Sequence, residues 1–103
     1  MNEGVATGWI GILSAELHFP EAHSLKEKRM LLRSAKDQLR NRFGASVAEV
    51  DHHDAWQRAR ITAAVVAREY GEAEKLLAEA ERYLASREWE LGQVQRELVT
   101  LDD

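Results

Sequence analysis

Two stretches of helical periodicity set among four stretches that alternate in polarity predict an α+β fold, with two helices on one face of an antiparallel sheet. Three observations carry that expectation. Residues 9–19 and 58–67 keep their apolar side chains on one parity, residues 24–43 carry a helix-start signal and an apolar arc, and residues 71–86 repeat such an arc.

The first strand puts Trp9, Leu13, Ala15, Leu17 and Phe19 on one face and Ser14, Glu16 and His18 on the other. Pro20 closes it, because proline has no N–H to give to a ladder. Ser24 followed by Glu27 is a capping box that starts the first helix, in which Leu25, Leu31, Leu32, Ala35, Leu39 and Phe43 share an arc of about 120°. Gly44 ends it, since glycine enters the left-handed cap conformation without a Cβ penalty. Lys28 falls on the apolar arc, where its stem is expected to cover the core while the ammonium reaches water. A second strand is expected over 45–51, and a third over 58–67 with Ala59, Ile61, Ala63 and Val65 inward and Arg60 and Thr62 outward. The second helix, over 71–86, buries Ala73, Leu76, Leu77, Ala80, Tyr83 and Leu84. The last strand lies within 89–101, where Gly92 interrupts the alternation as a bulge would.

The order β-α-β-β-α-β is the ferredoxin-like split βαβ arrangement, and right-handed crossovers give the strand order 4-1-3-2. The 103 residues then form one domain, 1–103, with an ordered core over 8–101. Its second sheet face has no cover of its own. Ile10, Ile12, Val47, Ala64 and Val66 are expected to point outward there, where a second copy would complete a homodimer. The topology also collects His18, His23, His52 and His53 at one end of the sheet, beside Asp51, Asp54, Trp56 and the first turn of the first helix.

Charge is distributed unevenly. The chain is acidic, at −4, yet residues 21–42 hold seven cations against Glu21, Glu27 and Asp37, a local +4. Lys26, Arg29, Arg33, Lys36 and Arg40 recur at spacings of three and four, which lines them along one edge of the first helix. Two explanations compete for this stripe. It either tracks RNA phosphates, or it pairs with Glu72, Glu74, Glu79 and Glu81 of the second helix as an internal charge seam.

Other chemistry is sparse. With no cysteine there is no disulfide, thiolate nucleophile or cysteine zinc site. The run Asp51, His52, His53, Asp54 has metal-ligand side chains but none of the usual ligand spacings, so a polar loop and no metal is expected. The start of the first helix, from Ser24, could hold an anion on its free N–H groups; the competing expectation pairs Glu21, Asp51 and Asp54 with the helix cations and His23. Trp56 is expected to plug that end of the core, with stacking on a base as its alternative. No phosphate loop, nucleophile elbow or aromatic RNA-stacking pair on the central strands is present, which points away from an enzyme and from an RRM. No apolar run approaches the roughly 20 residues of a membrane span, and residues 1–8 lack the features of a signal peptide, so a cytoplasmic protein with no cofactor is expected.

Two segments are specific enough to compare with a known family: His18-Phe19-Pro20-Glu21-Ala22-His23-Ser24-Leu25-Lys26-Glu27-Lys28-Arg29, and residues 47–59, Val-Ala-Glu-Val-Asp-His-His-Asp-Ala-Trp-Gln-Arg-Ala. They resemble the signature segments of the YlxP-like family, small bacterial proteins of unknown function. Where that pattern usually has glutamine, this chain has His53, which argues against a metal site there. The resemblance implies a ferredoxin-like fold and a link to translation, and brings no catalytic residue, cofactor or substrate. Combined with the stripe, it leads to the expectation of a non-enzymatic protein associated with RNA or a ribosomal particle. The edge residues His18, His23, Ser24, Asp51, His52 and Trp56 are the accessory candidates.

Overall fold

The computed structural model describes residues 5–101 and has the elements β1 (Trp9–His18), α1 (Leu25–Phe43), β2 (Ser46–Asp51), β3 (Arg58–Ala67), α2 (Tyr70–Ala85) and β4 (Glu90–Val99). All neighbouring strands are antiparallel, in the order β2-β3-β1-β4, which is the expected order read from the other edge. Both helices cover one face. Leu13, Ala15 and Leu17 of β1 meet Ala59, Ile61, Ala63 and Val65 of β3 beneath Leu32, Ala35 and Leu39 of α1 and Leu77, Ala80 and Leu84 of α2. The alternation read in the sequence is thus the alternation of faces.

The caps form as their chemistry requires. Ser24 Oγ accepts from Glu27 N–H at 3.1 Å, and the Glu27 carboxylate accepts from His23 N–H at 2.6 Å, one residue earlier than in the usual capping box. At the other end Gly44 adopts φ 64°, and its N–H reaches the Arg40 carbonyl. Trp9 packs edge-on against Tyr70 at 5.0 Å, and the buried Trp89 packs against Phe19 at 6.2 Å.

Two bulges decide what faces where. On β4 the register against β1 shifts between Ala15 and Leu17, so that Gly92 and Gln93 stand opposite the single residue Glu16. A Cβ on Gly92 would lie 3.0 Å from His18 Nε2 and 3.2 Å from Glu16 Cβ, so a larger residue in this bulge would require the His18 ring to shift. On β2 the pairings Glu49 with Ile61 and Asp51 with Arg60 leave Val50 as an extra residue. Before the bulge, Val47 and Glu49 share the core face with Ala63 and Ile61; after it, Asp51 shares the open face with Arg60. The expectation that Val47 faces outward is therefore corrected: it packs against the core.

The open face is divided. Toward the end that carries the histidines, Arg60 donates to Ser14 Oγ (3.1 Å), Glu16 Oε2 (3.2 Å) and Gln95 Oε1 (3.1 Å), and Thr62 donates to Ser14. At the far end Ile10 is in register with both Val66 and Val99, an apolar row in which Val66 is 75% exposed.

Candidate nucleic-acid interface

Glu49 is an acidic residue on the core face of an edge strand, and a carboxylate there needs a partner. Lys28 supplies it. Its Nζ lies 2.7 Å from Glu49 Oε2 and also donates to the His52 carbonyl at 2.9 Å, with the lysine 1% exposed. The expected route of the ammonium to water is thus corrected, because the charge ends on β2 and the loop after it. His52 makes this geometry work by adopting φ 66°, a left-handed conformation uncommon outside glycine. Its carbonyl turns to Lys28 while its ring Nε2 lies 3.1 Å from Glu16 on the open face.

The same loop is braced at two further points. Phe19 N–H donates to the Gln57 carbonyl at 2.8 Å, and Gln57 Nε2 donates to the Ala22 carbonyl at 3.2 Å. These contacts join residues 18–29 to residues 47–59, so the two segments that carry the family resemblance are one structural unit. Trp56 projects from this unit. It is 50% exposed and lines an open concavity of about 670 Å³ with His18, Leu25, Asp54, Ala55, Gln57 and Arg58. It is not the plug expected from the sequence; Phe19 and Trp89 fill the core nearby.

The basic stripe faces away from α2. Gln38, which accepts from the Tyr83 hydroxyl, marks the flank of α1 that meets α2, and at 100° per residue the stripe centres roughly 180° from it. Arg40 marks the opposite flank by donating to the Val47 carbonyl on β2 at 3.1 Å. Lys26, Arg29, Arg33 and Arg40 are exposed and Lys36 is half-buried. Among the described residues no ion pair joins α1 to α2; Arg40 meets Asp37 of its own helix, and Glu81 of α2 turns to Arg96 of β4 at 3.3 Å. The internal charge seam with the second helix is therefore corrected. Geometry explains it, since the basic stripe lies on the flank of α1 that is turned away from α2.

The edge candidates fall into separate roles. His18 lines the concavity, Ser24 caps α1, and His23 gives its backbone N–H to Glu27. Asp51 accepts from the His52 N–H at 2.8 Å and does not pair with α1; nor, among the described residues, do Glu21 and Asp54. His53 is exposed, with Nε2 4.0 Å from Glu49. The four histidines lie toward one end of the sheet without converging, and among the described residues no three His, Asp or Glu are grouped to hold a metal ion. Sequence reading missed Glu49, whose inward position depends on the bulge at Val50. It also missed the tie between Glu49 and Lys28, for which the only signal was a lysine on an apolar arc.

Among known proteins, the uncharacterized protein YlxP of Bacillus subtilis (strain 168) is 32% identical to this chain over 90 residues, which cover 78% of the chain and 98% of the relative. Residues 10–96 match the family described as "Protein of unknown function (DUF503)". That match runs from β1 into β4 and takes in both segments joined by Lys28, and the chain belongs to this family.

Proposed function

We propose that this is a non-enzymatic, cytoplasmic RNA-binding domain that contacts RNA or a ribosomal particle through the exposed flank of α1. The observation that carries this reading is the position of the stripe. Lys26, Arg29, Arg33 and Lys36 make no ion pair among the described residues, and they lie on the side turned away from the acidic helix. Unpaired cations at a pitch of one helical turn suit successive phosphates, and each contact releases counterions from the strand. Five of the fourteen lysines and arginines of this acidic protein stand on that flank, a local concentration of positive charge that suits a polyanion. The test is filter binding with Arg29→Glu/Arg33→Glu. The expected result is at least about 10-fold weaker RNA binding at moderate salt with an unchanged thermal midpoint; equal affinity would remove the stripe from the function.

A second reading rests on a separate observation, the row formed by Ile10, Val66 and Val99. In a two-fold pair this row would meet itself, because an isologous interface uses one patch twice. Sedimentation of the native chain and of Val66→Glu tests it: a dimer lost on substitution supports pairing through this face, and a monomeric native chain excludes it.

A further inference from the structure

The concavity beside Trp56 has features that a structural role leaves unexplained. Tryptophan at 50% exposure leaves much of a large apolar ring in water, and among the described residues no other aromatic ring or cation is stacked on it. The loop that presents it is not loose. Phe19 and Gln57 tie it to the end of β1, Gln57 ties it to Ala22, Ala55 N–H reaches the His52 carbonyl at 3.1 Å, and that carbonyl is held by the buried Lys28. A braced loop that holds an unpacked indole over a recess is a pre-organised stacking surface.

The lining narrows the ligand. The concavity of about 670 Å³ is open to solvent and has a mixed lining of Trp56, Leu25, His18, Arg58 and Asp54. Asp54 disfavours a bare phosphate, yet a carboxylate accepts well from the amino and ring N–H groups on the edge of a base. Position supplies the connection to the stripe. Leu25, in the wall of the recess, lies one turn before Arg29 on the same flank of α1, so the recess opens at the head of the row of cations.

From this geometry we infer that the recess takes one unpaired nucleobase, stacked on Trp56, from an RNA strand whose phosphates follow the α1 flank. The inference rests on the RNA-binding reading above and deepens it: the ligand is single-stranded, because a paired base would have to give up its pairing and stacking, at about a few kcal/mol, to reach the indole. Affinity is divided between two parts. The flank binds any RNA backbone, and Trp56 adds a preference for unpaired strands.

The two parts are separated by following the tryptophan indole and histidine ring signals by NMR during titration with an eight-nucleotide oligoadenylate and with a blunt eight-base-pair RNA duplex. Trp56→Phe assigns the Trp56 indole. The expected result is that oligoadenylate shifts the Trp56 and His18 signals to saturation, while the duplex binds without moving Trp56. Trp56→Ala weakens oligoadenylate binding on the order of 10-fold and leaves the duplex within twofold, and Trp56→Phe restores most of the loss because the stacking face remains. A Trp56 signal that does not move at saturating oligoadenylate, or an equal loss for both RNAs in Trp56→Ala, overturns the base site and leaves the flank reading in place. If the wild-type chain binds neither RNA, both readings fall.

Discussion

Lys28 Nζ sits 2.7 Å from Glu49 Oε2, and this ion pair, closed to solvent on the lysine side, ties the head of α1 to the edge strand β2. Ion pairs in such a place stabilise little relative to well-packed apolar replacements, because both charges have left water. Their value is conditional: neither partner tolerates the loss of the other. The pair therefore holds the β2–β3 loop in a single arrangement, and the carbonyl of His52 shares the same ammonium.

Removal of one partner is expected to be far worse than removal of both. Glu49→Leu strands a buried ammonium and Lys28→Met strands the Glu49 carboxylate, each expected to cost about 3–5 kcal/mol, whereas Lys28→Met/Glu49→Leu should fall within about 1–2 kcal/mol of the native chain. Urea unfolding of the two single variants and the double variant measures this, and strict additivity would show that the charges do not depend on each other.

The two tryptophans of the histidine-bearing end should behave oppositely. Trp89 is buried against Phe19, so Trp89→Ala removes a large core side chain and should cost about 3–5 kcal/mol. Trp56→Ala should cost less than about 1 kcal/mol, because the ring is half in water. Thermal unfolding compares them directly: each kcal/mol moves the midpoint of a chain this size by roughly 4–8 °C. A large drop for Trp56→Ala would return that residue to the core.

Gly11 brings β1 close beneath α2. A Cβ there would stand 3.0 Å from Leu77 Cγ and Cδ1, so Gly11→Ala should destabilise by about 1–3 kcal/mol through overpacking. Combined with Leu77→Ala, which vacates that space, the two losses should sum to clearly less than their separate values in denaturant titrations. A full sum would mean that the strand and helix are not in contact at this point.

The parts of this structure that follow from periodicity were legible in the chain. β1 and β3 keep apolar side chains on alternate residues, α1 and α2 keep them on one arc, and Ser24 and Gly44 close α1 as their chemistry requires. β2 was misread for a physical reason. Glu49 and Asp51 make the parity that includes Val47 look polar and outward, but the extra residue Val50 separates Asp51 from the other two, and Lys28 neutralises the carboxylate that remains inside. The stripe itself was plain in the spacing. Its freedom from α2 was not, since that depends on which flank of α1 the crossover turns toward the second helix, as Gln38 and Tyr83 reveal. Trp56 could not be placed by residue type alone, because loop tryptophans plug cores as readily as they stack on ligands.

The most direct test of the RNA-binding flank is the salt dependence of RNA affinity for the native chain and for Arg29→Glu/Arg33→Glu. A single-stranded RNA should give a linear fall of log affinity with log salt concentration. The double variant should lower the slope by about 1.4, at roughly 0.7 per lost phosphate contact on a single strand. An identical slope for the two proteins, or RNA affinity that does not change with salt, would contradict a phosphate-binding role for the α1 flank.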